Sequence, residues 1–496
     1  MSRLAPVSDA LKRAYDPERF AHAAAAALDA VTGHLNRVQQ RTSRSSYPAP
    51  SPQKERDHWT KDHAWTRGRD GVLHDVIQRS NHLHDPRYMG HQVSVVIPET
   101  AATGLVTDIL NNGQAIYEMG PTNAVQEDLL MAEIGQMLGL PETCGGILCH
   151  GGTLGNLVAL MAAQRKAALD LGLDSWKDGI HAFPKPLVVL VSDRAHYCID
   201  RAMRTMGWGQ AGTVLVKTNE RHQMRMDDLQ DQIQRCRAEG QHVMAVVGSS
   251  CTTSAGAFDP LEDIAGICRN EGIWLHVDGA HGASAAFSAR HRHLVRGMEH
   301  ANSVVLDFHK TCGIPALCTG VFYAEHDHSF LPFSQDALYL WNSPDDKDWW
   351  DTGKRTFECT KRMLSTRLAA IKAEFGWGMW TELVDRMWAL GDALASQVEA
   401  RDGWELAMKP EANIVCFRPS PNDPSVSTSD WNQVVHLLRD FHLSEGSGYI
   451  VKTEFDGQTW LRCTLMNPLT EWDDLEQMLE ELEGLLPRAM ATASLR

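Results

Sequence analysis

A succession of short apolar segments constrains the fold of this chain more than any other feature. They occupy residues 187–193, 213–217, 243–250, 273–278, 303–307 and 320–325. These segments do not alternate between apolar and polar residues as half-exposed strands do, and most are separated by helical patterns such as 226–240 and 260–272. Strands that are apolar on both faces and alternate with helices form a mostly parallel sheet covered by helices on both sides. The sequence therefore predicts an α/β fold.

The pattern changes at both ends of this region. Residues 1–92 are helical in pattern but are interrupted by the Ser- and Pro-rich stretch RTSRSSYPAPSPQKE, and they show no β/α rhythm. After about residue 365, long helical patterns accompany two isolated strands at 413–419 and 459–466. We therefore expect an N-terminal helical segment (1–92), a large domain (93–365) and a small α+β domain (366–496). Within the large domain, a helix over 123–138 is predicted to be capped by Asn123.

Charge and composition exclude several classes of protein. The net charge of −16 argues against a nucleic-acid partner and against binding to an acidic membrane surface, and no apolar run is long enough to span a bilayer. The eleven cysteines form no CxxC pair, as expected of reduced cysteines in a cytoplasmic protein. The histidine-rich stretch NHLHDPRYMGHQ lacks metal-ligand spacing, so we predict no metal.

Polar residues follow the predicted strands where each strand ends. His196 follows the first strand, Thr252 and Thr253 follow 243–250, Asp278 ends 273–278, and Lys310 follows 303–307. In sheets of this kind, ligands bind at the carboxyl ends of the strands. Upstream, a Gly-Gly-Thr turn at 151–153 runs into a helix, a setting in which backbone amides can hold a phosphate.

These groups together match the requirements of pyridoxal phosphate. Its aldehyde needs an amine, for which Lys310 is available, and its ring nitrogen needs a carboxylate, for which Asp278 is available. His196 can pack on one face of the ring and Ala280, a small residue, on the other, while Thr153 can hold the phosphate. Alone, each residue would more often be a loop histidine, a strand-end acid or a solvated lysine. Their order along successive strand ends makes coincidence a poor explanation.

Longer motifs give the resemblance to a family. GIWLHVDGAHG and SVVLDFHK resemble the group II pyridoxal-phosphate-dependent amino acid decarboxylases, which include glutamate, cysteine sulfinate, aromatic amino acid and diaminobutyrate decarboxylases. HDPRYMGHQVS, YEMGPTNAVQEDLL, GGILCHGGTLGN, SDRAHYCIDRA, GAFDPLEDIA and DTGKRTFECTKR fit in the same order. The resemblance implies the aspartate aminotransferase-like fold (fold type I), with a seven-stranded, mostly parallel sheet. It also implies pyridoxal phosphate as cofactor, an amino acid substrate and a homodimer.

The resemblance also implies roles for individual residues. Lys310 corresponds to the Schiff-base lysine, Asp278 to the partner of the ring nitrogen and His196 to the stacking histidine. The residues expected around the phosphate and the ring are Gly152, Thr153, Thr253, Ala280 and His309. Beside the cofactor's cation, the pKa of Lys310 is expected to be lowered.

Further roles concern the substrate. Tyr339, in the loop segment ALYLW, corresponds to the proton donor to Cα, and Arg462 to an arginine that pairs with the α-carboxylate. His91 and Gln92 lie in a substrate-entry segment that the partner subunit would contribute.

Two departures from the family concern the substrate more than the cofactor. Asp307 and Phe308 stand where many members have Asn-Pro, and His281 replaces an aromatic residue. We expect a small polar or charged substrate, such as glutamate, aspartate, cysteine sulfinate or 2,4-diaminobutyrate. An aminotransferase, an aldehyde-forming enzyme and a non-catalytic binding subunit are the alternatives. Tyr339 argues against aldehyde formation, because a phenylalanine accompanies that chemistry in the family.

Overall fold

The computed structural model describes residues 6–48, 51–61, 64–333, 348–421 and 426–494. By contacts between residues the chain divides into two units. The first contains Met1–Met89, Ser429–Val451 and Leu469–Arg496, and the second contains Gly90–Thr428 and Lys452–Pro468. These units group residues by contact, whereas the three predicted domains are ranges along the chain, so the domain boundaries remain a prediction.

The second unit contains a seven-stranded sheet. Its strands are β1 (Gly145–Cys149), β2 (Leu187–Ser192), β3 (Thr213–Val216), β4 (His242–Ser249), β5 (Trp274–Asp278), β6 (Ser303–Asp307) and β7 (Thr319–Tyr323). Their order across the sheet is β1-β7-β6-β5-β4-β2-β3, and β7 pairs antiparallel with both of its neighbours while the other pairs are parallel. This architecture confirms the predicted α/β fold with a mostly parallel sheet.

A second sheet has four strands: β8 (Trp404–Leu406), β9 (Ile414–Pro419), β10 (Val451–Phe455) and β11 (Gln458–Thr464). Their order is β10-β11-β9-β8, and β9 pairs antiparallel with both β8 and β11. The apolar strands β9 and β11 were predicted. Two strands were not predicted: β8, which has only three residues, and β10, whose middle residues are exposed or half-buried.

The helices occupy most of the remaining described chain. They are α1 (Asp9–Ala14), α2 (Pro17–Gln39), α3 (Pro52–Thr60), α4 (Gly68–Arg79), α5 (Pro98–Leu110), α6 (Pro121–Met137), α7 (Gly152–Asp170), α8 (Ser175–Asp178), α9 (Cys198–Thr205), α10 (Met226–Ala238), α11 (Leu261–Glu271), α12 (Phe308–Thr311), α13 (Ser365–Glu374), α14 (Gly378–Glu399), α15 (Thr428–Glu445) and α16 (Trp472–Ser494). Short 3₁₀ helices occupy Ala64–Arg67, Tyr117–Met119, Gly179–Ala182, Gln210–Gly212, Gly282–Phe287, Arg292–Val295, Met298–His300, His326–Phe330 and Thr352–Lys354. No helix in the described ranges is both long and apolar enough to cross a membrane.

The predicted cap of α6 is wrong. The helix begins at Pro121, since proline suits the first turn, where the missing backbone N–H would have no helical partner. Asn123 therefore lies inside the helix and is fully buried. Its side-chain amide donates hydrogen bonds to the hydroxyl oxygens of Ser365 (2.9 Å) and Thr366 (2.8 Å), so it ties α6 to the start of α13 instead.

Both faces of the seven-stranded sheet are buried, except along the edge strand β3. In β6, Val304 and Leu306 belong to one apolar cluster and Val305 belongs to the other. Successive strand residues point to opposite faces, so an uninterrupted apolar strand fills two cores at once. With both faces covered, the polar residues that end β2, β4, β5 and β6 gather at one rim of the sheet.

In the first unit, side-chain contacts join segments that are far apart in sequence. Arg41 forms a bidentate ion pair with Asp474, with both nitrogen–oxygen distances at 2.6 Å. The rings of Tyr88 and Tyr449 stack with their centroids 5.0 Å apart. These contacts tie the N-terminal segment of this unit to α16 and to the chain after α15.

Candidate active site

A cavity of about 310 Å³ lies where β2, β4, β5 and β6 end. All eight residues predicted to bind the cofactor line it. They are Gly152, Thr153, His196, Thr253, Asp278, Ala280, His309 and Lys310. These residues come from separate segments of the sequence, and the parallel sheet brings them together because its strands end at the same rim.

Lys310 and Asp307 form an ion pair in this cavity, in which the acid is buried and the lysine is half-buried. β6 ends at Asp307, and the single turn of α12 places Lys310 three residues later on the same side, with its Nζ 3.0 Å from Asp307 Oδ2. Burial acts to lower the pKa of Lys310, but the carboxylates of Asp307 and Asp278 outweigh it, so the pKa is raised. The prediction of a lowered pKa assumed that the cofactor's cation lies beside Lys310. In the structure, the nearest charged group is the carboxylate of Asp307.

Asp307 is fixed on two further sides. The hydroxyl of Thr319 donates a hydrogen bond to its Oδ1 (2.5 Å), and the residue is only 2% exposed. A Cβ atom at Gly152 would lie 2.8 Å from Asp307 Oδ2, closer than real Cβ contacts allow. A larger residue at the first position of α7 would therefore force the carboxylate of Asp307 to shift.

Asp278 lies at the end of β5, half-buried, and its Oδ1 accepts a hydrogen bond from the backbone N–H of Ala280 (3.3 Å). In the neighbouring strand β4, Ser249 pairs with Asp278 in register. Ala280 is buried in the cavity wall. Asp278 and Ala280, two positions apart in the chain, thus give the cavity wall a carboxylate and a small side chain.

His196 follows β2 and is oriented by the start of α9. Its Nδ1 accepts a hydrogen bond from the backbone N–H of Cys198 (3.3 Å), which leaves the proton of the neutral ring on Nε2. Burial lowers the pKa of His196, although Asp278 opposes the shift. The imidazole is therefore a neutral, flat surface at neutral pH.

A chain of buried hydrogen bonds connects the elements that carry these residues. Trp274 Nε1–H donates to Ser303 Oγ (2.9 Å), Ser303 Oγ lies 2.9 Å from His276 Nδ1, and His276 Nε2 lies 2.7 Å from Asn156 Oδ1. Asn156 Nδ2 in turn donates to Cys198 Sγ (3.4 Å). Since Asn156 Oδ1 can only accept, His276 carries its proton on Nε2 and every donor in the chain is assigned.

The same chain joins β5, β6, α7 and the start of α9, the elements that bear Asp278, Lys310, the glycine turn and His196. Sequence reasoning missed it, although a signal was present. His276 and Asp278 are two residues apart in a strand and therefore face the same side. The buried histidine on the same face of β5 as Asp278 was the signal for a hydrogen-bonded network beside the site.

The glycine turn follows β1 and precedes α7. Gly151 has φ of 103°, which disfavours any residue with a Cβ atom, and α7 begins at Gly152. At the other side of the cavity, His309 Nδ1 lies 2.9 Å from the carbonyl oxygen of Cys318, which orients the ring. Backbone amides at the start of a helix together with a histidine form a suitable setting for a phosphate.

β1 is held in position by a buried ion pair between Glu127 and Lys361. Glu127 Oε1 accepts the backbone N–H of Leu148 (2.9 Å), and Lys361 Nζ donates to the carbonyl oxygen of the same residue (2.7 Å). Lys361 has a fully buried side chain. The pair therefore fixes the backbone three residues before the glycine turn begins.

His150 is a further cavity residue that the sequence analysis did not identify. Its Nδ1 lies 2.9 Å from Glu358 Oε1, and its backbone N–H donates to the same oxygen (3.2 Å). Burial favours the neutral form of Glu358, but the hydrogen bond from His150 and the charge of Lys361 outweigh it, so the pKa of Glu358 is lowered. His150 directly follows β1, but that strand was not among the predicted segments, so the pair was not found.

Three predicted residues, His91, Gln92 and Arg462, do not line the cavity of the described chain, and a fourth cannot be placed. Tyr339 falls within 334–347, outside the described residues. His91 is exposed and Gln92 is half-buried. Two residues after Gln92, the backbone N–H of Ser94 donates a hydrogen bond to the carbonyl oxygen of His309 (3.1 Å). Arg462, on β11, is only 5% exposed and interacts electrostatically with Cys251, whose side chain lines the cavity.

The donor set fits pyridoxal phosphate. The cavity offers a lysine amine for the aldehyde, a carboxylate for the ring nitrogen, a neutral imidazole for the ring face and the N-terminal turn of α7 for the phosphate. Residues 72–420 also match the model of the pyridoxal-dependent decarboxylase conserved domain.

The chain belongs to the pyridoxal-dependent decarboxylase family. Cysteine sulfinic acid decarboxylase of Rattus norvegicus is 31% identical over 430 residues, covering 83% of this chain and 84% of that protein. Acidic amino acid decarboxylase GADL1 of Xenopus tropicalis is 29% identical over 422 residues, covering 83% and 81%. The crystal structure of mouse CSAD has a TM-score of 0.84 at 26% identity and covers 93% of this chain and 98% of that chain.

Membership of this family confirms the resemblance drawn from the motifs. The chain has the fold of the family, and it is a pyridoxal-phosphate-dependent carboxy-lyase that acts on an amino acid. Among the described residues, no group of three or more His, Cys, Asp or Glu side chains is placed to hold a metal ion.

Proposed function

We propose that this carboxy-lyase removes the α-carboxylate from a short acidic amino acid, such as cysteine sulfinate, aspartate or glutamate. The observation that carries the proposal is the guanidinium of Arg462. Its Nε and Nη2 are buried, and neither has a hydrogen-bond partner among the described residues. A buried cation without a partner is costly, so this group is suited to bind an anion that arrives with the substrate.

The surroundings of Arg462 support this role. The groups that act on it electrostatically are the thiols of Cys251, Cys416 and Cys463, and burial raises the pKa of all three, so they stay neutral. Burial lowers the pKa of Arg462 itself, but a guanidinium stays charged well above neutral pH. A carboxylate of the substrate would therefore be its counter-ion.

The acidic side chain of the proposed substrate rests on the relatives. Those named above are a cysteine sulfinic acid decarboxylase and acidic amino acid decarboxylases. Among the substrates expected from the sequence, these relatives favour glutamate, aspartate and cysteine sulfinate over 2,4-diaminobutyrate.

In the proposed site, Lys310 holds the cofactor aldehyde, Asp278 faces the ring nitrogen, and His196 and Ala280 lie on the two ring faces. The phosphate is held by Gly152, Thr153 and His309, and Thr253 lies beside the ring. Pyridoxal phosphate supplies the electron sink for the electron pair that the departing carbon dioxide leaves behind.

Arg462 orients the α-carboxylate so that the correct bond breaks, and positioning of this kind can contribute several kcal/mol to catalysis. Tyr339 then delivers a proton to Cα. These roles complete the proposed site.

The proposed enzyme is a homodimer. α5 exposes four large apolar side chains, and α6 exposes a fifth. They are Leu105, Val106, Ile109, Leu110 and Leu129. Clusters of exposed apolar residues mark interaction surfaces. His91 and Gln92 would reach the active site of the partner subunit, and Gln92 Nε2 is a buried donor without a hydrogen-bond partner in the described chain.

A cytoplasmic location is proposed as well. All eleven cysteines lie in the described ranges and have free thiols, and ten of them are buried. Reduced cysteines of this kind are usual in a reducing compartment.

A substrate panel tests the proposal. Carbon dioxide and amine release would be measured with cysteine sulfinate, aspartate, glutamate, 2,4-diaminobutyrate, lysine and an aromatic amino acid, with parallel assays for peroxide and keto acid. An acidic amino acid should give the highest kcat/KM. Preference for an aromatic amino acid would refute the substrate class, and peroxide or keto acid as the main product would refute the reaction.

Arg462→Met should lower kcat/KM for the best substrate about 100-fold, because it removes one partner of a buried charge pair. The matched control is Arg418→Met in the same small sheet, since Arg418 already has a carboxylate partner in Glu405 at 2.6 Å. Equal effects of the two changes would mean that Arg462 only supports the sheet.

A further inference from the structure

A second cavity, of about 490 Å³, has no part in the function proposed so far. Most of its lining comes from the 3₁₀ helix Arg292–Val295, from α14 and from the segment between β8 and β9. Trp388 on α14 lines it and packs its ring against that of His281, with the ring centroids 6.3 Å apart and 18° between the planes. His281 lines the active-site cavity, so one pair of stacked rings joins the walls of the two cavities.

Trp388 brings an unused hydrogen-bond donor to this second cavity. The residue is only 3% exposed, and its Nε1 is buried without a hydrogen-bond partner in the described part of the chain. Two tryptophans at the start of α14 do have partners: Trp377 donates to Glu133 (2.8 Å) and Trp380 to the carbonyl oxygen of Cys312 (3.2 Å). An indole nitrogen can only donate, and a buried donor without a partner is costly. Trp388 is therefore suited to a ligand that brings an acceptor.

Two charged side chains of the second cavity add further requirements for a ligand. Lys409 and Asp392 both line the cavity and are exposed, and neither forms an ion pair with another described residue. Asp392 lies four residues after Trp388 on α14, so the two side chains are neighbours on one face of the helix. The other lining carboxylate, that of Glu411, is already paired with Arg221. The cavity therefore offers an unpaired cation and an unpaired anion beside a buried donor.

We propose that the second cavity binds the amine product of the enzyme, a zwitterion with one ammonium and one acid group. The acid group accepts the hydrogen bond of Trp388 Nε1 and faces Lys409, while the ammonium faces Asp392. Loss of carbon dioxide converts aspartate to β-alanine and cysteine sulfinate to 2-aminoethanesulfinate, and both products have this pattern of charges. The inference rests on the proposed function, because that function determines the product.

The charges of the lining favour the product over the substrate. An acidic amino acid carries a second acid group, and an unpaired charge in a site discriminates against the ligand that brings it. Among the described lining residues, Lys409 is the unpaired group of permanent positive charge, since Arg221 is paired with Glu411. Burial lowers the pKa of His291, a further lining residue, and so favours its neutral form. The stacked rings also place this cavity next to the one in which the product forms.

Binding of β-alanine to a chain with a blocked active site tests the inference. The full-length chain loaded with pyridoxal phosphate would be treated with borohydride, which reduces the bond between the cofactor and Lys310 and so prevents the product from replacing the lysine. Isothermal titration calorimetry should then show one β-alanine bound per chain. Propionate, which lacks the ammonium, should bind about threefold more weakly, as expected for loss of an exposed ion pair. Aspartate, with its second acid group, should also bind more weakly than β-alanine.

Two variants separate the groups that bind the two ends of β-alanine. Trp388→Phe removes the N–H and keeps a flat ring against His281, and it should weaken β-alanine binding about 10-fold, as loss of a hydrogen bond to a charged group does. Asp392→Asn should abolish the preference for β-alanine over propionate. The matched control is Glu399→Gln, an exposed residue at the end of α14 that does not line the cavity, and it should change neither result.

Three results would overturn the inference: no binding of β-alanine to the reduced chain, binding that Trp388→Phe leaves unchanged, or tighter binding of aspartate than of β-alanine. If Trp388→Phe does not fold, the ligand preference of Asp392→Asn decides. A chain that released no carbon dioxide from any acidic amino acid would instead refute the proposed function, and the titration with β-alanine would still report on the second cavity.

Discussion

At the scale of the residue, Asp278 should be indispensable for turnover. Asp278→Ala removes the carboxylate that faces the ring nitrogen, so the cofactor should bind more weakly and carbon dioxide release should fall about 100-fold or more. Asp278→Glu keeps the charge but displaces it and should also be poor. Absorbance titration with pyridoxal phosphate and a carbon dioxide assay measure the two effects. Turnover of Asp278→Ala near that of the original chain would exclude the proposed role.

Glu358 should contribute stability that depends on pH. The pKa of its carboxyl is lowered in the folded chain from its usual 4.5, despite the opposing effect of burial. A carboxyl with a lowered pKa stabilises the folded state above its unfolded pKa, and this contribution is lost as the pH falls through the folded pKa. Glu358→Gln should therefore lower the Tm most at pH 7 and progressively less below about pH 4.5.

Calorimetry at pH 7, 5 and 4 would measure this difference. Glu405→Gln on β8, which changes a half-exposed carboxylate, is the comparison variant. A Tm difference for Glu358→Gln that grew towards pH 4 would contradict the sign of the pKa shift.

At the scale of the element, β1 should depend on the ion pair that holds Leu148. Lys361→Met leaves Glu127 buried without its cation, so it should lower the free energy of unfolding by about 3–5 kcal/mol. Lys372→Met is the matched control, because Lys372 pairs with Glu133 near the surface. It should cost less than about 1 kcal/mol. Urea denaturation followed by tryptophan fluorescence would measure both, and equal losses would mean that burial of the pair is immaterial.

The elements also show what the sequence could predict. Strands that are apolar throughout, such as β2 and β6, were predicted because burial on both faces leaves a local signal. The strand β8 and the start of α6 were not, since a three-residue strand has no period and a proline at Pro121 competes with a cap at Asn123.

The residues of the candidate site were likewise predicted only where the sequence carries a local signal. The cavity residues at strand ends could be placed because a parallel sheet aligns its strand ends. The contacts of Asn156 with His276 and of His150 with Glu358 join residues more than 100 positions apart, and no local pattern encodes such pairs.

At the scale of the whole molecule, the exposed apolar surface of α5 and α6 should be covered by a second copy of the chain. Replacing Ile109 and Leu129 with lysine places two charges in that surface and should yield a monomer with little activity. Light scattering coupled to size-exclusion chromatography would give the mass of each variant. Leu215→Lys, an exposed leucine on the edge strand β3, is the control and should leave the dimer intact. An active monomer of the original chain would contradict the proposal.

The approach of Asp307 to Gly152 has a consequence for anyone who redesigns this enzyme. A library that varies residue 152 alone would favour glycine, because the added carbon would meet the carboxylate 2.8 Å away and force it to shift. A library that varies residue 307 alone could select a smaller side chain at that position. It would not show that residue 152 could then be larger. The two positions behave as a single site, so they must be randomised together for the phosphate end of the cavity to be reshaped.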